Sequence, residues 1–365
     1  MLQINDDTQL GATANGVAFA GGTLRYAGAA NGSTGRTWTV AGNGGIDVAN
    51  AGVTYTANGA ITDGATAGTL TKTGAGTLAL NGTNTYTGGT LLQAGTIQVG
   101  SNAALGAGAL TASAGTTLAN GTAVPLALAN SAVLQDDLTV QSGAAGLALN
   151  GDVSGAGGLV KTGTGNLTLA GNNTYQGNTQ LTAGQLTVGS NTALGTGNLI
   201  ASAGTALTAS TPVQLQNGVT LNGGLTVTGA NDLTLAGAIG GAGGLTQAGT
   251  GTLTLAAANS FSGGVQLNSG TLAVGNNAAL GSGMLGTAAG TTLSATSPVT
   301  LGNAVMLTAG TTTITGSDLT LTGTIDGAGG LAKTGTGTLT LTGNNTYGGG
   351  TTLTSGTLAV GGNNA

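Results

Sequence analysis

The groups able to do chemistry in this chain are few and of one kind. Its ten acidic residues are all aspartates, its cations are Arg25, Arg36, Lys72, Lys161 and Lys333, and it has neither histidine nor cysteine. General acid and base work would therefore fall to carboxylates, and glycoside hydrolysis needs two of them facing each other across a groove. Asp6-Asp7 and Asp136-Asp137 are sequence neighbours, which a strand would point to opposite faces, so they read as turn or surface carboxylates. A lyase would want Arg or Lys beside a carboxylate, and Arg25, Arg36 and Asp47 are the local candidates. Calcium-binding rolls carry a nine-residue Gly- and Asp-rich repeat, absent here. Asp63, Asp152 and Asp326 do not fall in one column, whereas Asp232 and Asp318 share one with Gly146; all read as solvated surface groups. No catalytic, cofactor-binding or metal-ligating residue is assigned, no cofactor is expected, and the chain is read as a non-enzyme.

The formal net charge is -5 and the isoelectric point about 4.1. Five scattered cations cannot form the basic groove that a phosphate backbone or an anionic membrane requires, so neither nucleic acid nor direct membrane insertion is expected. The opening Met1-Leu2-Gln3-Ile4-Asn5-Asp6-Asp7 has no basic region or apolar core of a signal peptide, so export information is expected elsewhere.

What must position these groups is a repeat. Glycine occurs 75 times in 365 residues, yet charged residues are 4% and mean hydropathy is +0.28, the opposite of a disordered composition. The column Lys72, Lys161, Gln247, Lys333 steps by 89, 86 and 86 residues. Tyr86, Tyr175, Phe261, Tyr347 and Asn102, Asn191, Asn277, Asn363 step identically. Pro125, Pro212 and Pro298 follow approximately, each before a Val- or Leu-rich run, where a missing N–H is tolerated at a strand start.

Within a unit, Leu167-Thr168-Leu169 and Gln185-Leu186-Thr187-Val188 alternate apolar with polar residues and end at Gly or Asn. Period two predicts half-buried strands of three to five residues. A coil of about 20 to 25 residues suits a solenoid better than a propeller blade of about 40 to 50. The expected fold is all-β, a right-handed parallel β-helix of about 17 coils, four coils per 86-residue repeat, making a rod on the order of 80 Å at a rung spacing of about 4.8 Å. Gly and Asn are expected at the corners in tight or left-handed conformations. The three repeat lysines read as outward charges that blunt edge aggregation. The aromatic column reads as corner packing rather than carbohydrate platforms, and Trp38 as packing.

Residues 1–60 match the repeat poorly and are expected to be divergent coils or a cap. Residues 61–365 form the repeat β-helix, with repeats starting near 68, 157, 243 and 329. Gly361-Gly362-Asn363-Asn364-Ala365 matches 275–279 and stops short of the partners of Leu280-Gly281, so the last repeat is read as truncated.

The stretch from Gly157 to Gly177, with its motif Gly-Gly-Leu-Val-Lys-Thr-Gly-Thr-Gly-Asn-Leu-Thr-Leu-Ala-Gly-Asn-Asn-Thr-Tyr, resembles the passenger-associated transport repeat of bacterial type V autotransporters, and 330–360 fits that pattern almost throughout. Arg36-Thr37-Trp38-Thr39-Val40 and Gly44-Gly45-Ile46-Asp47-Val48 also look like sequence preceding such repeats. Gln247-Ala248 and Asn259-Ser260-Phe261 depart from it, so neither the lysine nor the tyrosine hydroxyl is needed in every copy. The resemblance implies a β-helix passenger, export across the outer membrane and surface display, with a structural or folding role for the repeat. The expected function is a structural stalk or adhesin segment. Alternatives are a self-assembling extracellular or biofilm filament, and an ice-binding β-helix presenting ranks such as Thr252-Leu253-Thr254 and Thr338-Leu339-Thr340, interrupted at Thr77-Leu78-Ala79 and Asn166-Leu167-Thr168. Expected partners are further repeats or copies of the chain end to end; a host-surface or glycan ligand is not specified.

Overall fold

A computed structural model describes residues 1–361. It contains short parallel strands stacked as a β-solenoid of about 18 turns, where the sequence suggests about 17. The one helical element among the described residues is a 3-10 turn, Asp7–Leu10. The chain divides into two compact units, one comprising Met1–Gln180 with Thr192–Gly197, the other Leu181–Asn191 with the residues from Asn198 on.

A single turn of the first unit shows the plan. Ala132–Leu134, Leu138–Gln141 and Leu147–Leu149 lie on three successive sheets. The chain then returns, and Val153–Gly155, Leu159–Thr162 and Asn166–Leu169 pair parallel to those three in the same order. In the second unit Val305–Leu307, Thr311–Gly316 and Leu319–Leu321 are overlaid in the same way by Ile325–Asp326, Gly330–Lys333 and Thr338–Leu341.

Alternation decides which residues go in. In the first unit Leu78, Ile97, Leu118 and Val140 are in register on adjacent strands, each with no exposed surface. In the second, Leu233, Leu253, Leu272, Leu293 and Ile314 make an equivalent buried column. Each such side chain contributes about 1.5 to 3 kcal/mol through burial, and does so only when the neighbouring turns are present. The three prolines each precede a strand, Leu126–Leu128, Val213–Leu215 and Val299–Leu301, as their positions predict.

The corners correct one expectation. Among the described residues, every positive φ belongs to glycine, so asparagine does not serve the corners through a left-handed backbone. Gly74, Gly163 and Gly335, in the Lys-Thr-Gly turns, have φ of 75°, 75° and 74°. Elsewhere glycine is needed for closeness: a Cβ on Gly165 would lie 1.7 Å from the Gly143 carbonyl oxygen of the turn below.

The repeat length is not a whole number of turns. In the first unit the in-register series Leu70, Thr90, Leu110, Ala132, Val153 climbs four turns of one sheet. The repeat equivalent of Leu70 is Leu159, which lies beyond Val153 and on the next sheet. In the second unit Leu245, Val265, Leu285, Val305 and Ile325 climb four turns in the same way. The equivalent of Leu245 is Leu331, again past the end of that series and on the following sheet. A turn with its full set of strands passes through three sheets, so the repeat spans four turns and a third.

The N-terminal residues are organised differently. Val17–Phe19 and Thr23–Tyr26 both pair with the long strand Trp38–Val48. Trp38 is buried, edge-on to Phe19 at 5.9 Å and stacked with Tyr55 at 6.3 Å, and Tyr55 stacks on Tyr26 at 4.6 Å.

Candidate functional site

Polar residues that recur once per repeat fasten one turn of the solenoid to another, several of them from inside it. The lysine column is the clearest case and overturns the expectation of outward charges. In Leu159–Thr162 the alternation that buries Leu159 also buries Lys161. Lys72, Lys161 and Lys333 are 0%, 0% and 2% exposed. Each ammonium is held by carbonyls of its own Lys-Thr-Gly turn: Lys72 Nζ donates to Thr73 O at 2.6 Å and Gly74 O at 2.8 Å, and to Ala94 O of the next turn at 3.2 Å. Lys161 Nζ donates to Thr162 O and Gly163 O, both at 2.8 Å, and Lys333 Nζ to Thr334 O at 2.6 Å. Burial pushes the Lys72 and Lys161 ammonium groups down to about 8, and at Lys72 the Asp47 charge partly opposes it. In the third repeat Gln247 Nε2 takes over, donating to Gly249 O at 3.2 Å and Gly251 O at 2.8 Å, and leaves its Oε1 buried without a protein partner.

Asparagine, which the sequence places at corners, supplies a second fastening. Asn84, Asn173 and Asn259 are buried. Their Oδ1 atoms accept from the N–H of Ile61, Val153 and Ile239 in the turn below, each at 2.8 Å. Their Nδ2 groups donate to Ala104 O, Ala193 O and Ala279 O in the turn above, each at 2.6 Å. One side chain thus bridges three consecutive turns, satisfying backbone groups that burial would otherwise leave orphaned. Asn345 accepts from Ile325 N at 2.9 Å. The column Asn102, Asn191, Asn277 accepts from Ala127 N, Gln214 N and Thr300 N, at 2.9, 2.8 and 2.8 Å; its fourth member, Asn363, lies outside the described residues.

Three of the four members of the aromatic column pack inside, as expected, and Tyr347 is half-buried. Tyr86, Tyr175 and Phe261 have no exposed surface, and Tyr86 and Tyr175 bond the hydroxyls of Thr90 and Thr179. Burial raises both phenols far above their ordinary range. No ring of these three is available to stack on a sugar.

The carboxylates do not converge. Asp6 caps the 3-10 turn. Asp7 meets Arg36, whose five N–H groups are all placed: Nε on Asp7 Oδ1 at 3.0 Å and Oδ2 at 3.2 Å, Nη1 on Ala12 O and Asn15 O, Nη2 on Asp7 O and Gly11 O. That buried guanidinium clasps residues 7–15 onto the solenoid. Arg25 pairs with Asp47 at 3.0 Å, so the three lyase candidates separate into two structural contacts. Asp137, Asp152, Asp232 and Asp318 each accept a backbone N–H from the following turn, from Gly158, Asn172, Thr252 and Thr338. They hold backbone rather than merely face solvent. Asp63 accepts from the Thr87 hydroxyl, Thr87 N–H and Gly68 N–H, which together hold its carboxyl below the usual range. Among the described residues no three carboxylates gather as a metal site would require.

Outside, threonines align. In the first unit Thr54, Thr77, Thr96, Thr117 and Thr139 are in register on successive strands. In the second, Thr252, Thr271, Thr292 and Thr313 make a rank, beside a mixed one of Thr254, Ala273, Ser294 and Thr315. All of these side chains are half-buried except Ala273, which is buried.

The geometry of a repeat built to fasten turns agrees with what the chain is similar to. Residues 70–99, 159–188, 245–274 and 331–360 match the family described as passenger-associated-transport-repeat. The chain thus carries four passenger-associated-transport-repeats, at the places where its own columns repeat. It is 36% identical over 172 residues to a protein of Brucella suis biovar 1 (strain 1330) named adhesin BmaC autotransporter, a match that covers 46% of this chain and 4% of that protein. No solved structure matches it.

Proposed function

We propose that the chain is a non-catalytic stalk segment of an exported, surface-displayed adhesin. The observation that carries this reading is that the polar groups recurring from unit to unit, such as Lys72, Asn84 and Tyr86, are bonded within the solenoid. The repeat specifies stacking, and its recurring chemistry is structural. Similarity to an adhesin autotransporter supports surface display across the outer membrane. The test is display of the full chain on a bacterial surface with protease accessibility as readout. Replacing Asn84, Asn173 and Asn259 by Ala should reduce the folded, protease-resistant displayed fraction, and replacing outward Thr77 and Thr96 by Lys should not. Attachment of the purified chain to host cells that a single outward substitution abolishes would assign a ligand site and contradict the stalk.

A second reading, ice binding, is favoured by the in-register threonine ranks, since a flat uncharged face of stiff β-branched side chains at about 4.8 Å rungs could order water. Thermal hysteresis that vanishes in Thr77→Lys and Thr96→Lys would establish it; its absence in the unaltered chain would dismiss it.

A further inference from the structure

We propose that repeat number sets the direction in which this solenoid presents its faces: gain or loss of one repeat turns everything beyond it by a third of a turn, and three repeats restore the original direction. The inference rests on the stacking of the repeats and does not depend on the stalk reading.

Within the first unit the repeat equivalents Leu70 and Leu159 lie on consecutive sheets, and within the second unit so do Leu245 and Leu331. In both, four full turns are followed by a short segment that carries the chain from one sheet to the next. The strand after the lysine turn behaves alike: Thr77–Leu80 and Asn166–Leu169 belong to successive sheets, as do Thr252–Leu255 and Thr338–Leu341.

The module tolerates each position because its bonds run to the turns immediately below and above, wherever around the axis it stands. Asn84 reaches down to Ile61 and up to Ala104, and Asn173 down to Val153 and up to Ala193, in the first unit; Asn259 reaches Ile239 and Ala279 in the second. The same staple is therefore built in each of these copies from the turn below and the turn above alone. Because a turn with its full set of strands passes through three sheets, a repeat of four turns and one further step ends one sheet beyond the sheet on which it began. Within each unit, features that occur once per repeat step from one sheet to the next instead of forming a line. A change in copy number alters which face is shown beyond it without changing any outward residue.

The experiment removes residues 245–330, which joins Gly244 to Leu331 and keeps the local sequence of a repeat boundary. In the unaltered chain Thr246 lies in register above Thr226, and Thr254 above Thr234 on the following sheet, while Ala332 lies beside Thr313. If the shortened chain turns, Ala332 takes the place of Thr246. The chain has no cysteine, so Thr226→Cys with Ala332→Cys and Thr234→Cys with Ala332→Cys can be compared directly by disulfide formation and by pyrene excimer emission. The expected result is pairing of 226 with 332, none of 234 with 332, and neither in the full-length chain. Pairing of 234 with 332, or a shortened chain without β circular dichroism, overturns the proposal. Duplicating residues 245–330 tests the opposite direction: the second copy's residue 246, changed to cysteine, should pair with Thr313→Cys, and its failure to do so would overturn the proposal equally.

Discussion

The hydroxyls of Tyr86 and Thr90 lie 2.5 Å apart with both side chains buried, and two repeats later the same two positions are Phe261 and Val265, both buried and both without a hydroxyl. The polar pair is replaced as a pair. Removing both partners of a buried hydrogen bond is nearly neutral, whereas removing one leaves the other desolvated, at about 1 to 3 kcal/mol.

A double-mutant cycle at this pair should reproduce that asymmetry. Thr90→Val alone leaves the Tyr86 hydroxyl without its partner and is expected to destabilise by about 1 to 3 kcal/mol. Tyr86→Phe should cost less, because the Thr90 hydroxyl keeps the Leu105 carbonyl at 3.1 Å. The double variant should lie nearer the parent than Thr90→Val does. Urea unfolding of the four proteins measures the coupling; additive losses would mean that the hydroxyls act independently.

Substitution of a bridging asparagine should be among the most damaging single changes outside the apolar core. Asn173→Ala orphans the Val153 N–H and the Ala193 carbonyl together, and a loss of about 3 kcal/mol or more is expected. Asn81, whose amide bonds Asn58 at the exposed surface, should lose no more than about 0.5 kcal/mol as Ala. Equal effects at the two positions, measured by urea midpoints, would remove the distinction drawn between them.

Lys72 and Lys161 give stability a pH dependence of defined sign. Their folded values are lowered to about 8 from an ordinary 10.5, so between those pH values the unfolded chain binds more protons than the folded one. Stability therefore rises with pH across that window and is flat below it as far as these groups are concerned. Lys72→Gln with Lys161→Gln, the residue found at 247, should abolish the rise while leaving the chain folded. Unfolding midpoints from about pH 7 to about pH 9.5, below the range in which the buried phenols of Tyr86 and Tyr175 act in the opposite sense, would show it, and a fall over that range in the parent would contradict the assignment.

Arg36 should control the N-terminal clasp alone. Arg36→Ala removes six contacts to residues 7–15 and strands the Asp7 carboxylate, which is only 11% exposed. Amide exchange in residues 7–16 should accelerate roughly tenfold or more, and exchange in Leu319–Leu321 should stay unchanged. Uniform acceleration throughout would mean that the clasp is a folding requirement for the whole chain.

The solenoid is legible because two signals agree: period-two alternation in short runs and columns that step by a fixed interval. What the sequence conceals lies in the same rows. Lys161 follows Leu159 by two positions, and Tyr175 follows Asn173 by two, so alternation assigns lysine and asparagine to the inside while charge and turn propensity point outward; alternation wins. The carbonyl cage that makes burial of an ammonium tolerable belongs to the folded Lys-Thr-Gly turn and to the next turn, and sequence spacing does not display it. The third of a turn left over by each repeat is hidden for a related reason: the repeat interval is plain in the columns, but only the register fixes the length of a rung. The Arg36 clasp joins residues far apart in the chain with no repeated counterpart, and no period could reveal it.

Amide exchange at the asparagine side chains, followed by NMR on uniformly nitrogen-labelled protein, tests most directly whether the repeat's polar residues fasten turn to turn. The Nδ2 protons of Asn84, Asn173 and Asn259 are predicted to exchange as slowly as the N–H of Val153 and Ile239, through unfolding of the turns around them. Exchange at the rate of a solvent-exposed primary amide, with those backbone groups still protected, would contradict the account.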